Sequence, residues 1–166
     1  MWYLYKGVIL TKDNLARPRW QGDRKCCFCS SNESIQHLFF DCHFAKFIWR
    51  IVHVFFNLSL PTSVHNIFTG WLEGINRKLK SQIIVGASAF CWAIWLTRND
   101  VVFNKAVAPS YLQAIFRGTY WTKFWSLLQK EEEDRHLMKM GCKTIETVVM
   151  DVFARYGWSF SNRIAF

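Results

Sequence analysis

From Phe44 onward, hydrophobic residues return at three- and four-residue intervals: Phe44, Phe47, Ile48, Ile51, Val52 and Phe55. That spacing gathers them on one face of an amphipathic helix. Asp41 stands where an N-cap is wanted, and Leu60-Pro61 marks the far end. Residues 61–76 read as a connector in which Ile67, Phe68, Trp71 and Leu72 form one buried turn. A second helix spans about 76–102, with apolar residues on nearly every side, among them Ala87, Phe90, Cys91, Ile94, Trp95 and Val101. A third starts near Ser110, after Pro109, and carries the stripe Leu112, Ile115, Phe116, Trp121, Phe124, Trp125 and Leu128. It continues through the acidic run 131–134, a solvated face, to a stop at Gly141. The tail offers a short helix with Ile145, Val148, Val149 and Val152 on one side, ended by Gly157. Near the start, Thr11 or Asp13 caps a short helix over 12–17 that Pro18 ends.

Composition sharpens this picture. Of 166 residues, 51% are hydrophobic and 17% aromatic, which excludes a disordered chain. It also exceeds what so short a chain easily hides, so some apolar surface is expected to meet a partner. The net charge of +9 favours polyanions, nucleic acid before an anionic membrane. Residues 81–97 carry no charge and reach the lower length limit for a membrane span. Ser81, Gln82, Gly86, Ser88 and Thr97 within them favour a helix buried in protein instead. The start, MWYLYKGVILTKDNLARPR, has Lys6 in its apolar stretch and no small-residue cleavage site. The expected location is therefore intracellular, cytoplasmic or nuclear rather than secreted, where thiols stay reduced.

Chemistry concentrates in one place. CCFCSSNESIQHLFFDCHF holds four of the six cysteines and two of the five histidines. Its best chelating pattern is Cys26-x2-Cys29-x7-His37-x4-Cys42, three thiolates and an imidazole, a closed structural set for Zn2+. His43 in place of Cys42 gives a Cys2His2 alternative with His37-x5-His43 spacing. Cys27 is too close to Cys29 for the usual chelating turn, Cys91 reads as a packed thiol and Cys142 as an exposed one. The fold class is mainly α: a small Cys3His zinc-knuckle-like module followed by three or four packed helices. The expected divisions are a zinc module over 1–60, a connector over 61–76, a helical region over 77–141, and a short helix and tail over 142–166.

The run C-x2-C-x7-H-L-F-F-x-C-x2-A-x3-W, carried by Cys26, Cys29, His37, Leu38, Phe39, Phe40, Cys42, Ala45 and Trp49, resembles a known pattern. It is that of the reverse-transcriptase zinc-binding domain of plant LINE-type (non-LTR) retrotransposons. LTKDNLARPRW is similar to that family's lead-in, and WAIWLTRNDVVFN resembles its downstream W-x-x-W-x-x-R-N segment. The resemblance implies a zinc module that begins inside the family's opening element and lacks the polymerase and nuclease of the parent polyprotein.

Arg17, Arg19, Arg24 and Lys25 flank the cysteine cluster, and Lys46 and Arg50 lie on the helix after it. Trp20 and Phe28 offer π-faces among them. Cations for phosphates beside aromatics for bases are the ingredients of single-stranded nucleic-acid binding, so RNA or single-stranded DNA is the expected partner, and the resemblance tips towards RNA or template binding. A module that docks on polymerase or nuclease domains is the alternative. No Tyr-x-Asp-Asp motif, two-metal acidic set or Cys–His nucleophilic pair stands out, so no enzyme activity is expected.

Overall fold

The computed structural model describes residues 1–17, 21–104 and 110–156. Pro18, Pro109 and Gly157, expected as helix punctuation, lie outside the described residues, as does the side chain of Phe55. The helices are α1 (Trp2–Tyr5), α2 (Lys12–Ala16), α3 (His43–Phe56), α4 (Val64–Phe68), α5 (Arg77–Phe103), α6 (Tyr111–Ser126) and α7 (Glu132–Tyr156), with a π-helical turn over His37–Asp41. The fold is mainly α. Among the described residues the only β pairing is an isolated antiparallel bridge between Lys25 and Asn32.

The chain divides into two compact units. One comprises Met1–Gly74 and Arg98–Val107, the other Ile75–Thr97 and Ala108–Phe166.

In the first unit α3 is the organising element. Phe44, Ala45, Ile48, Trp49 and Val52 form its buried stripe, each large side chain contributing about 1.5–3 kcal/mol when fully removed from water. Trp49 lies parallel to Phe40, ring centroids 6.2 Å apart, and meets Trp71 edge-on at 5.9 Å. Its Nε1–H donates to the Phe39 carbonyl at 2.7 Å. Asn57 then ends α3 in the left-handed conformation, φ 48°. After it, Ser63 caps α4 by accepting from the Asn66 N–H. Ile67, Trp71 and Leu72 are buried as the hydrophobic pattern requires, whereas Phe68 is exposed and meets Tyr5 edge-on at 5.2 Å.

In the second unit Asn76 caps α5 through the Leu79 N–H at 2.8 Å, and Ser110 caps α6 through the Gln113 N–H. The helix expected to run from Ser110 to Gly141 is two, broken over residues 127–131. Gly141 stops nothing. Met138, Cys142, Ile145, Val149 and Phe153 bury one continuous stripe of α7 through it, which outweighs a glycine's helix penalty of about 1 kcal/mol. Val148, expected on that stripe, is exposed, and Cys142, expected outside, is buried.

The expected α6 stripe holds at Ile115 but departs at three of its positions. Phe116, Phe124 and Leu128 are exposed, while Ala114, Ile115, Gly118, Thr119, Thr122 and Ser126 are buried. Small side chains let helices approach closely. The hydroxyls are tolerated there because each bonds its own helix, Thr122 to the Gly118 carbonyl at 2.8 Å and Ser126 to the Lys123 carbonyl at 2.6 Å. Lys123 and Thr119 both bond Glu146 of α7, so α6 and α7 run side by side. Asp134, expected on a solvated face, is buried and bonds Lys78 at 3.0 Å.

Candidate metal centre

Two short pieces of backbone bring the donors together. The first is a hairpin: the Cys26 N–H donates to the Ser31 carbonyl and the Glu33 N–H to the Arg24 carbonyl, both at 2.8 Å, on either side of the Lys25–Asn32 bridge. Its tip carries Cys26 and Cys29, and the Phe28 N–H points at the Cys26 sulfur at 3.4 Å. The second is the π-turn. The Cys42 N–H reaches back five residues to the His37 carbonyl at 2.7 Å. Five residues span well over one turn of an α-helix, with 3.6 per turn, so the wider turn brings His37 and Cys42 towards one side. Ser34 launches that turn, its hydroxyl accepting from the His37 N–H at 3.0 Å.

Asp41 therefore belongs to the π-turn and is not the N-cap of α3. Cys42 is the N-cap, in extended conformation. Its sulfur sits at the positive end of a 14-residue helix, where a thiolate is favoured.

The donor atoms of Cys26, Cys29, His37 and Cys42 all lie within 4.8 Å of one another. The Cys42 sulfur is 3.9 Å from both the Cys26 and the Cys29 sulfur, and Cys29 is 3.1 Å from His37 Nε2. A tetrahedron with metal–sulfur bonds of about 2.3 Å has sulfur–sulfur edges of about 3.8 Å. The set is thus compatible with a Zn2+ ion held by three sulfurs and one imidazole. Cys42 takes the fourth place, and His43 is outside the converging set. With four protein donors, no position is left for a reactive water.

The thiols already share charge unevenly. Cys27, then Cys42, donate towards the Cys26 sulfur, with help from the Phe28 N–H, and these bonds pull the Cys26 pKa far below the ordinary thiol value. Cys42 and Cys27 move the other way, because each donates a hydrogen bond to Cys26 and each is shielded from water, Cys42 buried and Cys27 half-buried. A metal binding here displaces those protons.

Around this centre Arg17, Arg24, Lys25, Lys46 and Arg50 are all exposed. Arg19 and Trp20 lie outside the described residues. Phe28 is not a surface ring: it is buried and stacks on Phe44 with centroids 4.1 Å apart.

One pair of charges escaped the sequence reading. Glu33 and Arg98 are both fully buried and joined at 2.7 Å from Nη2 to Oε1 and 3.3 Å from Nε to Oε2. The available signal was Arg98 itself, the charge that ends the uncharged run 81–97.

No curated protein and no solved structure matches the chain. Residues 1–49 match the family model described as zinc-binding in reverse transcriptase. The matched segment ends on the Trp49 that braces the π-turn, and it contains all four donors.

Proposed function

We propose that the chain is a zinc-stabilised, non-catalytic nucleic-acid-binding module from a LINE-type retroelement polyprotein of plant origin, acting in the cytoplasm or nucleus. The observation that carries this reading is the convergence of Cys26, Cys29, His37 and Cys42 inside a segment matching zinc-binding in reverse transcriptase. Zinc's part is to hold the hairpin against α3. The exposed cations Arg17, Arg24, Lys25, Lys46 and Arg50 then supply phosphate contacts to RNA or single-stranded DNA.

The test is direct. Protein purified under reducing conditions carries about one zinc per chain, lost on His37→Ala. Affinity for single-stranded RNA falls with salt at a log–log slope of about −0.7 per phosphate neutralised. Reversing charge at Arg24, Lys25, Lys46 and Arg50 flattens that slope. Zinc-free protein, or RNA retention indifferent to salt, contradicts the proposal.

A second reading rests on the exposed stripe Phe116, Tyr120, Phe124, Leu127 and Leu128 on and just after α6. Such a surface suits docking onto polymerase or nuclease domains of the parent polyprotein. On that reading the charge reversals leave RNA retention unchanged, and Phe124→Ser abolishes capture of the reverse transcriptase domain.

A further inference from the structure

We propose that Arg98 is a positioning residue of the metal centre: its bidentate bond to Glu33 clamps the junction between the two halves of the donor set. The proposal rests on the zinc reading of the four donors.

Glu33 occupies a particular place in the chain. On its N-terminal side is the hairpin carrying Cys26 and Cys29, which the Glu33 N–H itself closes by bonding the Arg24 carbonyl. On its C-terminal side is Ser34, which starts the turn leading to His37 and Cys42. The relative placement of the two donor pairs thus depends on where residue 33 is held. Three hydrogen bonds hold its carboxylate. Arg98 bonds both oxygens, and the Lys12 backbone N–H donates to Oε1 at 2.9 Å. Lys12 opens α2, so this N–H has no partner within its own helix. Arg98 is in turn oriented by Asn99, whose Oδ1 accepts from Nη1 at 3.0 Å, and its guanidinium lies 5.6 Å from the Phe103 ring centroid.

With side-chain exposures of 1% for Arg98 and 0% for Glu33, neither charge is screened by water. Removing the guanidinium strands a carboxylate in a dry site, and the chain relieves that cost by moving residue 33 outward. Such a movement separates Cys26 and Cys29 from His37 and Cys42. By reciprocity, bound metal steadies the turn of α5 that bears Arg98.

The experiment measures zinc affinity of the full-length chain by competition with a chromophoric chelator, together with the cobalt(II) ligand-field spectrum. Arg98→Met is expected to weaken zinc binding about 100-fold, the scale seen when groups supporting metal ligands are removed. Arg98→Lys falls between, because one ammonium cannot make the paired bond. Glu33→Gln/Arg98→Met, which removes both charges, recovers most of the loss. Gly118→Ala, which strains the second unit only, leaves zinc affinity unchanged and separates positioning from general destabilisation. Should Arg98→Met fail to fold, the double variant decides. Affinity of Arg98→Met within threefold of wild type, or a double variant as weak as the single, overturns the proposal while leaving the zinc reading intact. A wild-type chain that takes up no zinc overturns both.

Discussion

Trp49→Phe isolates a single bond that holds the π-turn in shape. The wild-type indole is 2% exposed and donates to the Phe39 carbonyl at 2.7 Å. That carbonyl lies inside the turn joining His37 to Cys42. Phenylalanine keeps an aromatic face against Phe40 but loses the donor, leaving a buried acceptor unsatisfied at a cost of about 1–3 kcal/mol. The lost pyrrole ring adds a small void, about 1 kcal/mol more. The expected loss is therefore about 2–4 kcal/mol, a factor of about 30 to 1,000 in the folded population. Urea unfolding of cobalt-loaded protein, followed through the thiolate-to-metal absorption, reads this unit alone. Trp92→Phe serves as comparator, since Trp92 is 39% exposed, and its cost is expected below about 1 kcal/mol. A Trp49→Phe variant that loses less than about 0.5 kcal/mol, or no more than Trp92→Phe, refutes the assignment of that bond as a brace.

Chelation of zinc by EDTA is expected to abolish the ordered first unit while leaving the helical signal of α6 and α7, because the ion supplies about 10–16 kcal/mol of apparent binding free energy to such sites; circular dichroism with and without chelator checks it. The second unit is expected to weaken in alkali. Burial raises Cys91 to about 12 and Cys142 to about 11 from 9.0. The neutral thiols thus favour the fold fully below pH 9, and the contribution is lost as pH climbs towards 12, about 5 kcal/mol of it by pH 11. A Cys91→Ala/Cys142→Ala chain unfolded in urea across pH 8–11 should lack this slope. Gly118→Ala should cost about 1–3 kcal/mol by overpacking, since a Cβ there stands 2.5 Å from Phe90 Cε1. A melting temperature unchanged from wild type contradicts that contact.

Helices with one wet and one dry face were legible at once. The α3 stripe follows its hydrophobic period because Phe44, Ile48 and Val52 have nothing polar to compete with them. The donor set was legible because chelation demands particular atoms at particular spacings. α6 was misread for a physical reason. Beyond Tyr111 and Ile115 its buried face is made of Ala, Gly, Thr and Ser, whose small size a count of hydrophobic residues passes over in favour of Phe116 and Phe124. The same reasoning missed Gly141 as a helix interior, since the stripe from Met138 to Phe153 is visible only once Cys142 is recognised as packed. The N-cap was misplaced by one residue because a π-turn leaves no signature in hydrophobic period. Glu33 and Arg98 were invisible as a pair because 65 residues separate them.

That separation bears on how this protein can be cut or transplanted. The matched stretch ends at residue 49 and the first contiguous block of its unit at Gly74, yet the counter-cation for Glu33 arrives only at Arg98. A gene segment ending at either earlier boundary encodes an acid sealed indoors with nothing to neutralise it. To travel alone, the segment must bring the end of α5 along or exchange its acid for an uncharged residue.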